Sequence, residues 1–325
     1  MTQSPPFTAL PRAERRRFVH SYLRFLAERD GTPDFARRTL SRREASLAAL
    51  AQDPVTRDGP PVVGQRAYEE NAIERPVARE GLDDWALWAV CLSKCSRMEE
   101  YAVRYLDASG RRRSERADDP YSLIDLEERY HGRLLASLLS VLGLTPGFRP
   151  PGAITRLTLR AILWLPRALS NLTVLCGEII GVATFKLFLE KGRALCADQP
   201  RAQARLERLL QDILTDEVGH VLFLRSQLGP LRLLLARLLL PLVARVLIGD
   251  YPEMRRLFGD RLLQEILSPR LLASAIAEVG GLPLLLADGR PADGAMGNGA
   301  TGDGATGDGA TGDGLPDAAA GLEGA

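Results

Sequence analysis

The sequence predicts an all-α protein: a four-helix bundle with one long crossover, accessory helices before and after it, and a glycine-rich tail. Three observations predict it. From about Asp83 to about Leu286 the apolar residues step by three and four, the period of a helix with one buried face. The pattern is interrupted where turn formers cluster, at Gly110–Pro120, Gly143–Gly152, Ala197–Pro200 and Gly229–Pro230. Finally, two of the three histidines follow a glutamate by three places inside such segments, Glu128-x-x-His131 and Glu217-x-x-His220, and that spacing puts both members of a pair on one helical face.

Residues 1–82 read as an accessory helical region, with an arginine-rich helix over about Ala13–Glu28 and a second over about Phe35–Ala51. The Pro- and Gly-rich stretch Asp53–Gly64 marks a linker. His20 has no acid three places before it and reads as a surface or packing residue. The bundle with its C-terminal helices should occupy 83–286. Its first helix begins at the acidic pair Asp83-Asp84 and runs to about Ala108, with Trp85, Trp88, Leu92, Cys95, Glu99, Ala102 and Leu106 on one stripe. After the polar turn Ser109–Pro120, the second spans about Tyr121–Leu142 and ends before Gly143. Helical pattern resumes at Ile154, is broken by Pro166, and continues in a third helix, Arg167–Leu195, that carries Glu178. A fourth, Pro200–Leu228, carries Asp216, Glu217 and His220. Two or three leucine-rich helices should follow, ending near Leu286. From 287 to 325 the Gly-Ala-Thr-Gly-Asp repeat has no large apolar residue and is expected to be disordered. Calcium-binding repeats that pair Gly with Asp have a nine-residue period and a large apolar position, and both are missing here.

Composition excludes several classes. The net charge is +1 and acids are interleaved with bases, so no nucleic-acid footprint is expected. The N-terminus lacks a basic-then-apolar leader, which suggests a cytoplasmic address. Cys91, Cys95, Cys176 and Cys196 form no Cys-x-x-Cys pair and suggest no disulfide framework. The apolar run Ala168–Phe185 holds Glu178, and Pro230–Ile248 holds Arg232, Arg237 and Arg245. Those charges favour buried bundle helices over membrane spans and leave peripheral membrane contact open.

One inward glutamate on each of two helices and a Glu-x-x-His pair on each of the other two is the ligand set of a dinuclear carboxylate site. The candidates are Glu99, Glu128, His131, Glu178, Glu217 and His220. In an antiparallel hairpin, ligands at one height must be equally far from the turn. The midpoint of 99 and 128 falls inside Gly110–Pro120, and that of 178 and 217 inside Ala197–Pro200. Glu100 is the alternative first ligand, although the apolar stripe and Ala102 favour Glu99. Two divalent iron or manganese ions would neutralise four carboxylates, with neutral imidazoles completing the coordination. Glu127 and Asp216 each precede a ligand glutamate and are candidates to accept the second ring N–H of the histidines, a solvent-facing role being the alternative.

At these residues the chain resembles the ferritin-like di-iron carboxylate superfamily. Asp216-Glu217-Val-Gly-His220 is similar to the Asp-Glu-x-x-His form of its oxygenase and ribonucleotide reductase small-subunit branch, which includes p-aminobenzoate N-oxygenase-like proteins. The likeness covers about 84–228. It implies a ferritin-like bundle, a bridged di-iron, Fe/Mn or di-manganese centre, and oxygen-dependent oxidation of a small organic substrate with electrons from a reductase or ferredoxin. The bundle lacks the third histidine of the N-oxygenases, so N-oxygenation is one chemistry among several. Iron handling or peroxide detoxification is a second reading. A metal-free scaffold or membrane-peripheral protein using residues 230–275 is a third, and a homodimer stays open. Tyr101, Tyr105 and Tyr130 are candidates for a radical or, more simply, for packing.

Overall fold

The computed structural model describes residues 7–59, 62–69, 82–108, 115–147, 153–249 and 251–280. The helix α1 (Arg12–Asp30) is followed by two short strands, β1 (Pro33–Asp34) and β2 (Thr39–Leu40), and by α2 (Ser41–Gln52). A helix starting at Phe35 was the sequence expectation, and the structure corrects it. Pro33 pairs with Leu40 and Asp34 with Thr39 in an antiparallel hairpin. The Asp34 carboxylate accepts the Arg37 N–H (2.9 Å), and Ser41 Oγ accepts the Thr32 N–H (2.9 Å). These side-chain bonds compete with helix formation until Ser41.

After the short α3 (Gln65–Tyr68) come α4 (Asp84–Ala108) and α5 (Pro120–Val141). Each starts at an aspartate that caps it: Asp83 accepts from Ala86 N–H (2.8 Å) and Asp119 from Tyr121 N–H (3.1 Å). The crossover carries α6 (Ala153–Trp164), and Pro166 separates it from α7 (Arg167–Leu195). α8 (Pro200–Gln227) starts on its own proline, the favoured first position. α4 packs on α5, α7 on α8, and α5 on α8, which makes a helical bundle with α1 laid across α8 and α5. The Trp88 indole N–H donates to the Phe188 carbonyl (3.2 Å), tying α4 to α7. Phe18, Tyr22 and Leu26 of α1 join the same buried core as Leu135, Phe188 and Ile213, so the N-terminal helices are built into the fold.

Beyond α8 lie α9 (Pro230–Gly249), α10 (Pro252–Phe258), α11 (Arg261–Ile266) and α12 (Leu271–Glu278). Two or three helices were expected, and four are present among the described residues because Gly259 (φ 58°) and the turn at Ser268 divide the leucine-rich segment. Residues 281–286, the repeat tail and the turn at 109–114 lie outside the described residues. Among those described, Leu169–Leu195 is the one helix long and apolar enough to cross a membrane, and 67% of its most apolar window is buried inside the fold.

Candidate metal centre

The four bundle helices bring the six expected side chains to one level. Glu99 arrives on the apolar stripe of α4, half-buried, whereas Glu100 turns outward and pairs with Arg104. On α5, Glu127 and His131 are fully buried and Glu128 stands beside them. α7 contributes Glu178, with its side chain 14% exposed, and α8 contributes buried Asp216, Glu217 and His220. His20, outside this group, is exposed.

Two overlapping groups of three result. One ligand atom each from Glu99, Glu128 and His131 lie within 4.8 Å of one another, and so do atoms from Glu128, Glu178 and His220. Glu128 belongs to both. His220 Nδ1 is 3.1 Å from Glu128 Oε1 and 3.3 Å from Glu178 Oε2. His131 Nδ1 lies 3.6 Å from Glu128 Oε2 and 3.6 Å from Glu217 Oε1. Glu217 falls outside both groups of three but sits against Gly181, where an added Cβ would stand 2.3 Å from its Oε2. The missing side chain on α7 is therefore what leaves room for that carboxylate.

The outward nitrogens are braced crosswise. With the ring proton on Nε2, His131 of α5 donates to Asp216 Oδ2 of α8 (3.1 Å), and His220 of α8 donates to Glu127 Oε2 of α5 (3.2 Å). Each Glu-x-x-His helix thus carries the acid that orients the other helix's imidazole, turning both Nδ1 atoms toward Glu128.

A further layer comes from the N-terminal helices, which sequence reading treated as accessory. Arg29 of α1 contacts both Glu127 and Asp216. Arg43 of α2 reaches Asp216 Oδ1 (2.5 Å), and Asp30 joins the two guanidiniums, 2.7 Å from Arg43 Nε and 2.9 Å from Arg29 Nε. Buried carboxylates need such cations to stay ionised. Tyr22 was missed as well: its buried phenol, without a hydrogen-bond partner among the described residues, lies against Gly219 on α8 and feels the charges of Glu127 and His220. Of the tyrosines named from sequence, Tyr130 bonds to Leu40 N–H (2.8 Å) and Glu44 (2.7 Å), and Tyr101 stacks on Tyr105.

The electrostatics fit a cation site. Burial, then repulsion from Glu128, pushes Glu99 up to about 8. Burial and the neighbouring Glu178 and Glu128 raise Glu217 well above the carboxyl range. Glu127 is pushed up to about 7 by burial and by Asp216. Burial opposes charge on Glu128 too, but His131 and His220 hold it down to about 2. Asp216 is likewise depressed against burial, by Arg29 and Arg43. Burial alone would lower His131; Glu128 and Asp216 raise it to about 9. His220 is raised against burial by hydrogen bonds to Glu127 and Glu128. Glu99, Glu217 and the two imidazoles thus hold protons that cations would displace. His131 Nδ1, buried and without a hydrogen-bond partner among the described residues, is the atom such a cation would satisfy.

A cavity of about 330 Å³ adjoins the cluster, with Glu99, Glu128, Glu178 and Glu217 on its wall. The rest of its lining is largely apolar, including Met98, Val174, Phe185, Val243, Leu247 and Met254. No protein-family model, curated protein or solved structure matches the chain.

Proposed function

We propose that this chain is a ferritin-like dinuclear metal oxidoreductase that activates dioxygen and oxidises a small, apolar organic substrate. The observation that carries the reading is the pair of ligand groups sharing Glu128, closed on the outside by the crossed His131–Asp216 and His220–Glu127 bonds. Glu99, Glu128 and His131 would hold one iron or manganese ion; Glu128, Glu178 and His220 would hold the other, with Glu217 beside them. Bound there, the two ions supply the electrons that dioxygen must accept, drawn in turn from an external reductase or ferredoxin.

The chain's own residues do the rest. Asp216 and Glu127 keep a proton on Nε2 of each imidazole, so that Nδ1 presents its lone pair inward. Arg29 and Arg43 hold Asp216 ionised, Arg29 opposes the burial that raises Glu127, and Asp30 fixes the guanidiniums. Without metal the carboxyls of Glu99 and Glu217 hold protons at the cavity wall, and the ions would displace them. Met98, Val174 and Phe185 exclude water and favour an apolar guest. That cavity is what favours oxidation of an organic molecule over iron storage, which has no use for an apolar chamber beside the ligands.

Metal analysis of the purified chain, followed by dioxygen-uptake assays with a reductant and apolar candidate substrates, tests the reading. Two metal equivalents and substrate-stimulated uptake are expected. A chain that binds no transition metal, or that takes up dioxygen only to oxidise added iron, would contradict it.

A further inference from the structure

Among the described residues, α9 presents an exposed apolar face. Leu231, Leu234, Leu235, Leu238 and Leu242 of α9 follow the i, i+3, i+4, i+7, i+11 spacing of a single helical face, and all five are exposed, Leu231 by 69%. Leu233, Ala236, Leu240 and Ala244, on the opposite face, are buried; Cys176 Sγ on α7 donates to the Ala236 carbonyl (3.5 Å). Such a contiguous exposed leucine stripe marks an interaction surface. Its charges say of what kind. Helical spacing puts Arg232 and Arg237 at the two borders of the stripe and Arg245 at its end, all exposed, and α9 contains no acid.

α6 repeats the pattern. Arg156, Leu157, Arg160 and Trp164 lie on one exposed face of a helix that also lacks acids, with Leu157 68% and Trp164 78% exposed. Both helices pack on α7, and α9 borders the cavity. Val243 and Leu247 of α9 line it, and the Arg160 guanidinium lies 5.8 Å from the ring centre of its lining residue Tyr105.

We infer that α6 and α9 form a docking surface for an anionic lipid bilayer, lying in the interface without spanning it. The leucines enter the acyl boundary, Trp164 sits at the headgroup level, and the arginines reach lipid phosphates while their stems cover apolar surface. A second protein copy would bring the same arginines face to face, whereas an anionic surface neutralises them. The cavity then lies beside a source of apolar molecules. Lipid binding does not depend on the metal reading, and it is measured without metal.

Flotation of the full-length chain with vesicles tests this. Binding to vesicles of phosphatidylglycerol and phosphatidylcholine is expected, with much less to pure phosphatidylcholine and partial release by salt. Arg232→Gln or Arg237→Gln should each lower partitioning about fivefold. The pair Leu234→Glu and Leu238→Glu should abolish flotation while leaving the circular dichroism and thermal midpoint unchanged. In the wild-type chain, brominated phosphatidylglycerol vesicles should quench tryptophan emission, and Trp164→Phe should remove that quenching. Three results would overturn the inference: no flotation on anionic vesicles, flotation insensitive to the leucine substitutions, or a wild-type dimer without lipid affinity that the same substitutions turn into monomers.

Discussion

Replacing Asp216 by asparagine keeps the side chain's shape and removes one negative charge from the layer that orients His131. The carboxylate is fully buried, accepts from His131 Nε2 at 3.1 Å and contacts both Arg29 and Arg43. Losing it leaves the buried Arg43 and the partly buried Arg29 to share Asp30 and Glu127. Breaking a buried charge pair costs about 3–5 kcal/mol. At roughly 2 °C per kcal/mol for a chain of this size, the thermal midpoint should fall by about 6–10 °C. The amide can also accept from His131 without holding its proton on Nε2 as firmly, so metal affinity should fall about 10- to 100-fold. Differential scanning calorimetry and competitive metal titration read the two effects separately. The double variant Asp216→Asn with Arg43→Met restores the charge balance and should recover much of the midpoint, while affinity stays low because the His131 partner is still altered. A single variant whose metal affinity stays within about threefold of wild type would refute the idea that the crossed bonds orient the ligands.

Other perturbations probe different parts of the same site. Gly181→Ala should keep or raise stability, since alanine is about 1 kcal/mol better in a helix interior, yet displace the Glu217 carboxylate and weaken metal binding; a variant with unchanged affinity would show that Glu217 is dispensable. Glu99→Gln should remove one metal equivalent and Glu100→Gln none, as read by metal analysis, and the reverse pattern would shift the first ligand by one residue. The metal-free protein should lose stability as pH rises from about 5 to 9. Glu99 at about 8, Glu127 at about 7 and His131 at about 9 have folded values above their unfolded ones, so the folded state keeps protons there that the unfolded chain releases. The depressed Glu128 and Asp216 act in the opposite sense, but only in acid, as pH falls toward their folded values. Saturating metal should reverse the slope over the same range, because metal and protons compete for these atoms; parallel melting curves against pH with and without metal would argue against a shared site.

Much of the bundle was legible because its ends are chemically marked. Asp83, Asp119, Pro166 and Pro200 bound helices that differ by a residue or so from those read off the apolar period. The convergence of Glu99, Glu128, His131, Glu178, Glu217 and His220 was legible too, because a rare residue type recurs in one spacing and the hairpin midpoints fall in turns. The support behind it was not. Arg29 reaches Glu127 across 98 residues and Arg43 reaches Asp216 across 173, and nothing local distinguishes those arginines from the solvated ones around them. Local chemistry was also underrated at Asp34 and Ser41, whose backbone bonds delay α2. That each acid serves the opposite helix's histidine follows from how α5 and α8 face each other, which no single-helix pattern encodes.

The most direct test is anomalous scattering from crystals of the chain loaded with manganese or iron. Two peaks about 3.5–4 Å apart are expected, one beside Glu99, Glu128 and His131 and the other beside Glu128, Glu178 and His220. A single peak, or metal bound away from Glu128, would contradict it.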